Sequence, residues 1–159
     1  MDAVVGGRSV GVPGVVALLA ETHRRHGRLP WATLFAPAIE LAERGFAISP
    51  RLAHLIAAEA RHFIQPRARA YFLESEGAPR TAGTILRNPA LARTFRAIAK
   101  GGADAFYRGD IARDIVATAD SFAANPGDLT LADLARYRVK ERIPICAAYR
   151  AYQIGRAHV

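Results

Sequence analysis

Apolar positions recur every three to four residues along most of this chain and alternate with polar ones only near its end, which predicts helices closed by a pair of strands. In Gly11-Val12-Pro13-Gly14 the proline suits a first helical turn, because its missing N–H would lack an intrahelical partner there anyway. Val15, Leu18, Leu19 and Thr22 then fall on one helical face. His23-Arg24-Arg25-His26 put positive charge at the negative end of the helix dipole, and Gly27 can close the helix just past its cap. Residues 29–45 carry Leu34, Phe35, Ala38, Ile39 and Ala42 at the same spacing with Pro37 among them. A proline cannot donate the interior hydrogen bond, so two short helices are predicted there, ending at Gly45.

Ser49-Pro50 reads as an N-cap followed by proline at the first helical position. Leu52, Leu55, Ile56, Ala60 and Phe63 form the apolar stripe of this helix, with Glu59 at its edge and Pro66 beyond its end. Residues 66–73 can add a short helix before a turn-rich loop over 74–79. Asn88-Pro89 repeats the cap-then-proline signal, and Leu91, Phe95 and Ile98 mark a helix that Gly101-Gly102 should end. Asp110 is expected to cap another, with Ile111, Ile115 and Val116 inward, before the turn at residues 125–128. Thr130-Leu131-Ala132-Asp133 resembles a capping box with Asp in place of Glu. From Val139 the period shortens, and Ile143, Ile145, Tyr149 and Tyr152 suggest two strands with a turn near Ala147-Ala148 and Pro144 on an edge. The fold class is therefore predominantly α with a short C-terminal β-hairpin: helical over 11–137, strands over about 139–154.

Composition changes this picture little. With 159 residues and 51% hydrophobic content the chain is long enough for a core, and no apolar run approaches the roughly 18 residues of a membrane span. The formal charge of +8 invites a nucleic-acid partner. However, Lys100 and Lys140 are the only lysines, and the arginines are spread from Arg8 to Arg156. No nucleic acid is expected on that distribution, although a basic helical module binding nucleic acid or protein remains an alternative of another class. The single cysteine, Cys146, excludes an internal disulfide and a cysteine-built metal site.

Few side chains invite chemistry. His23 and His26 sit three apart but lack further ligand spacing, so a solvated helix end is expected; His54 and His62 are read as exposed polar face. Cys146, flanked by Ile145 and Ala147, is expected to be a small buried hydrophobe, and Trp31, Phe35 and Phe95 are assigned to the core. The Glu40/Glu43 and Glu74/Glu76 pairs read as helix and loop surface rather than as an acid–base pair. Gly6-Gly7 before Arg8 could form an anion-binding nest, but the motif is short and unspecific.

Four segments in order carry a resemblance: Ser9-Val10-Gly11-Val12-Pro13-Gly14; Phe35-Ala36-Pro37-Ala38-Ile39-Glu40-Leu41-Ala42 with Gly45-Phe46; Gly102-Ala103-Asp104-Ala105-Phe106-Tyr107-Arg108-Gly109; and Asp128-Leu129-Thr130-Leu131-Ala132-Asp133-Leu134-Ala135 leading through Tyr137 and Val139 to Glu141-Arg142. Together they resemble the γ-glutamyltranspeptidase (glutathione hydrolase) family, over about residues 6–154.

The resemblance implies an internal fragment, residues 1–154, of the large-subunit region of an α+β (αββα) N-terminal-nucleophile hydrolase. In that family a precursor cleaves itself, and the exposed threonine of the small subunit, activated by its own amino group, attacks the γ-glutamyl amide of glutathione or a related compound. Backbone N–H groups of a later Gly-Gly segment would hold the oxyanion. A β-lactam (cephalosporin or glutaryl) acylase of the same superfamily is the alternative enzyme. No catalytic, substrate-binding or metal residue and no cofactor is assigned to this chain, because Thr22, Thr33, Thr81, Thr84, Thr94, Thr118 and Thr130 all lack the Gly-Thr-Thr-His context of the cleavage site. The implied partners are the γ-glutamyl substrate and the small subunit, and the implied location of the parent is periplasmic or extracytoplasmic. Residues 155–159 are expected to be a non-native tail, since ATC GGA AGA GCA CAC GTC, a common sequencing-adapter stretch, encodes Ile154 to Val159, and Met1 is expected to be an internal methionine.

Overall fold

The computed structural model describes residues 5–156. It is mostly helical with a short antiparallel hairpin at the end, the class that the periodicity predicts. Helix α1, Val15–His26, begins after Gly14, so Pro13 stands just outside the first turn. Gly27 caps α1 in an extended conformation, φ −68°, instead of a left-handed one. A glycine is still needed there, because a Cβ would lie 2.4 Å from the His23 ring.

Pro37 splits the next segment as expected, into a 3₁₀ turn at Trp31–Phe35 and helix α2, Ala36–Arg44. Gly45, at φ +82°, turns the chain into strand β1, Phe46–Ala47. Ser49 caps α3, Pro50–Glu59, by accepting a hydrogen bond from the Leu52 N–H at 3.1 Å. Helix α4, Pro66–Phe72, follows, and strand β2, Ile85–Leu86, returns to pair antiparallel with β1. That two-residue pairing is absent from the sequence reading, because each partner is too short to show alternation and they lie some forty residues apart.

Helix α5, Pro89–Tyr107, is capped by Asn88, whose side chain accepts from the Leu91 N–H at 2.9 Å. Its axis breaks at Gly102, φ +65°, so the Gly-Gly pair does end the first helical stretch and a short second one follows it. Helix α6, Asp110–Asp120, starts after Gly109, with Asp110 inside the first turn instead of at the cap; Asp110 pairs there with Arg113. Helix α7, Leu131–Arg136, has the expected capping box: the Asp133 N–H donates to Thr130 Oγ1 at 3.2 Å and the Thr130 N–H to the Asp133 carboxylate at 3.0 Å.

Two cores hold these elements. Ile48, Ile56, Leu73 and Leu86 are buried in the first, under the stacked rings of Phe63 and Phe72. Tyr107, Ala112 and Leu134 form the second, covered by Val16, Ala17, Phe106, Val116 and Tyr137. Between them α2 packs on α5, and Trp31 donates its indole N–H to the Ile98 carbonyl at 3.1 Å. Trp31, Phe35 and Phe95 form a half-buried row of rings along this seam, not a fully buried core.

The hairpin departs from expectation in register. Strand β3 is Ile145–Tyr149 and β4 is Tyr152–Arg156, so Ala147 and Ala148 lie within β3 and the turn falls at Arg150-Ala151. Arg150 adopts φ +54°, and Pro144 precedes the first strand instead of interrupting it. All of β3 is exposed. Of the expected non-native tail, the backbone of Gly155 and Arg156 continues β4, while residues 157–159, like Met1, lie outside the described residues.

Candidate functional site

The side chains singled out from the sequence do not converge. His23, half-buried, bonds through Nε2 to the Leu29 carbonyl at 2.7 Å and stands edge-on to Trp31, so it fixes the loop after α1 instead of being solvated; His26 is exposed. His54 is exposed, and His62 contacts Glu59 at 2.7 Å. Among the described residues no group of three metal-ligating side chains occurs. Glu40, Glu43 and Glu74 pair on the surface with Arg44, Arg96 and Arg80, as a structural reading requires. Cys146 is a correction: it is exposed, because the hairpin has no layer over the face that carries it.

Gly6 and Gly7 serve packing. The Gly7 N–H donates to the Asn125 carbonyl at 2.8 Å, and a Cβ on Gly7 would meet the Ala119 carbonyl oxygen at 1.9 Å. This donor is therefore occupied by protein and not offered to an anion.

Several threonine hydroxyls are likewise engaged. Thr33 donates to the Pro30 carbonyl at 2.7 Å, Thr94 to the Ala90 carbonyl at 3.3 Å and Thr130 to the Asp133 carboxylate at 2.6 Å. Such bonds hold a side chain against its own turn, and the one carboxylate among the acceptors, Asp133, is made a weaker base by its bonds from Thr130 and Arg136.

The main concavity was not visible from the sequence. An open groove of about 670 Å³ runs between the second half of α1, the end of α5, α7 and residues 137–141. Its anchor is Tyr107, whose hydroxyl donates to the Pro13 carbonyl at 2.5 Å and accepts from the Ala17 N–H at 3.1 Å. At its far end Arg24 grips both oxygens of Glu21 at 2.8 and 2.7 Å, while Arg25 bridges Glu21 at 2.5 Å and Glu141 at 2.6 Å. The Glu21-to-Arg25 spacing of four was a readable signal for half of this network; Glu141 was not.

Electrostatics point away from proton transfer. Hydrogen bonds from Arg24 and Arg25 hold the Glu21 carboxyl at about 2, and those from Thr130 and Arg136 lower Asp133. Burial raises the hydroxyls of Tyr71 and Tyr107, and the bonds to Glu21 and Glu141 raise Arg24 and Arg25. Each of these shifts moves a group further from neutrality, the opposite of what a general acid or base needs.

Against this geometry stands the family evidence. The sequence profile described as Gamma-glutamyltranspeptidase matches residues 1–158. The chain belongs to the γ-glutamyltranspeptidase family. It is 40% identical over 151 residues to the Acylase ACY 1 proenzyme of Pseudomonas sp. (strain SE83), covering 95% of this chain and 26% of that protein. It is 36% identical over 149 residues to Glutathione hydrolase 2 of Arabidopsis thaliana, covering 94% and 25%. The structure superposes on the γ-glutamyltranspeptidase of Helicobacter pylori with a TM-score of 0.88 and 33% identity, over 96% of this chain and 43% of that one. The chain thus spans about a quarter of the length of these curated relatives. Within the described residues this member of the family is mostly helical, and no helix in it is long and apolar enough to cross a membrane.

Proposed function

We propose that the chain is part of the large-subunit region of an N-terminal-nucleophile hydrolase that cleaves γ-glutamyl amides such as glutathione. The observation that carries this is the family match over nearly the whole chain, combined with candidate side chains that do not converge on one site among the described residues. The chain contributes no catalytic or substrate-binding residue and needs no cofactor. The reacting threonine comes from the small subunit of the same precursor, where its amino group takes the hydroxyl proton as the oxygen attacks the γ-glutamyl carbonyl. The amine leaves with a proton, and water or an amino acid then resolves the γ-glutamyl ester. In the parent these helices are one outer layer of an αββα stack, and β3–β4 belong to its sheets. By the family resemblance alone, the parent would be periplasmic or extracytoplasmic.

A second reading keeps the scaffold and changes the acyl group: the likeness to the Pseudomonas acylase and to the cephalosporin acylase of Bacillus halodurans supports an acylase, for which the substrate would be a cephalosporin or glutaryl amide. The test is a full-length precursor assayed with a γ-glutamyl anilide and a glutaryl amide side by side. Preferential γ-glutamyl release is expected, and preference for the glutaryl amide would move the assignment to the acylases. Hydrolysis by the 159-residue chain alone would contradict the placing of the nucleophile elsewhere.

A further inference from the structure

Helix α5 breaks at Gly102, where φ +65° and ψ −159° fall in a region that essentially only glycine occupies. A Cβ there would meet nothing within 4 Å, so the backbone torsion, and not space, requires the glycine. On the first side of the break Trp31, Phe35 and Glu43 meet Ile98, Phe95 and Arg96 of α5. On the second side Ala103, Phe106 and Tyr107 join Ala112 and Leu134 in the second core. Among the described residues no ion pair or ring contact joins residues 29–101 directly to residues 103–156. Helix α1 spans the two sides. In its last turn the His23 ring stands edge-on to Trp31 at 5.3 Å, and Trp31 donates to the Ile98 carbonyl, in the last turn before the break. Its first turn is held by Tyr107: Gly14 has no side chain with which to cap α1, and the Tyr107 hydroxyl, ninety residues from Ala17, accepts the Ala17 N–H instead. A capping serine could not replace Gly14, because its Cβ would lie 2.3 Å from the Tyr137 hydroxyl.

We infer that α1 is a strap that fixes the angle of a hinge at Gly102, with the Tyr107 hydroxyl as its latch on one side and Trp31 as its anchor on the other. A strap makes the two fastenings interdependent: losing either one frees the same pivot, so the second loss adds little to the first. A kink set by the glycine alone would instead keep its angle whatever happened to α1. The strap consists of this chain's own residues and works whichever acyl group the parent cleaves.

The test is the distance between two spin labels on the full-length precursor carrying Cys146→Ser. One label sits at Arg93→Cys on the first half of α5 and the other at Asp114→Cys on α6, both exposed positions. A fastened hinge gives one narrow distribution of distances. Tyr107→Phe removes the latch hydroxyl and should broaden that distribution by about twofold or more. Trp31→Phe removes the indole N–H on the far side of the break and should broaden it to the same extent. The two together should broaden it no more than either alone. A reference pair within the second side, Asp114→Cys with Asp128→Cys, should keep its width throughout. Gly102→Ala takes away the pivot, so Tyr107→Phe added to it should cause no broadening; if that variant does not fold, the two phenylalanine variants decide the matter. An unchanged width in either single variant, additive broadening in the double variant, or broadening of the reference pair overturns the strap. Each measurement reads distance and not product release, so its failure leaves the proposed function standing.

Discussion

The helices of residues 15–136 and the hairpin of residues 145–156 both carry regularly spaced apolar side chains, yet only the helices bury some of theirs, from α2 onward, while Val15, Leu18 and Leu19 of α1 stay exposed. Leu134 is 1% exposed and Ile56 2%, whereas Ile145 and Ile154 are each 55% exposed. The contrast comes from layers, not from composition. A helix buries its stripe against a single neighbour, and this chain supplies one wherever α5 meets α2 or α6. A two-stranded sheet has two faces and two edges to cover, and the residues of β3 have neither face covered here. Periodicity thus specifies an element, while burial depends on whether its complement belongs to the same piece of chain.

The sharpest way to break that comparison is to cut into each region equally. Leu134→Ala should lower the stability of the chain by about 2–5 kcal/mol in urea unfolding, the cost of a cavity at a fully packed site. Gly7→Ala should cost roughly 1–3 kcal/mol, because the new methyl meets the Ala119 carbonyl and the Gly127 N–H, both backbone atoms with little freedom to retreat. Thr130→Ala removes the capping box of α7 and should cost about 1 kcal/mol by the same measurement. Ile145→Ala or Ile154→Ala should shift stability by under about 0.5 kcal/mol, as for exposed positions. A hairpin effect as large as that of Leu134→Ala would abolish the distinction between the regions.

The smallest effect is electrostatic. The Glu21 carboxyl, at about 2 against an ordinary 4.5, is depressed in the folded state, so its contribution is fully present above about 4.5 and is lost as pH falls toward 2. Its carboxyl resonance should titrate near 2 in NMR and move back toward 4.5 in the Arg24→Ala, Arg25→Ala double variant. The group is exposed, so the accompanying change in stability should be slight.

Features legible in the sequence are those whose physics is local. Ser49-Pro50, Asn88-Pro89 and Thr130 with Asp133 each satisfy N–H groups within three residues, and all three helix starts stand where the sequence puts them. The pairing of Phe46 with Leu86, the bond from Tyr107 to Pro13 and the bridge from Arg25 to Glu141 join distant residues and leave no periodic trace. Ala92, Ala112 and Ala119 are among the most buried side chains, a role that alanine, equally at home on surfaces, does not announce. The hairpin turn was misplaced because Ala147-Ala148 separates the apolar clusters, while the register is set by Tyr149 facing Tyr152. Of the candidate side chains, the glutamates and His54 stand on the surface as read; His23 and Cys146 do not follow their readings, since one depends on a carbonyl six residues away and the other on a missing layer.

The grip of Tyr107 on the start of α1 also sets an order of events during synthesis. The nascent chain delivers Ala17 ninety positions before the phenol that anchors it, and Gly7 more than a hundred before Asn125. Until then α1 lacks the anchor that seats it, so the start of this helix is committed to its place only after Tyr107 has been translated.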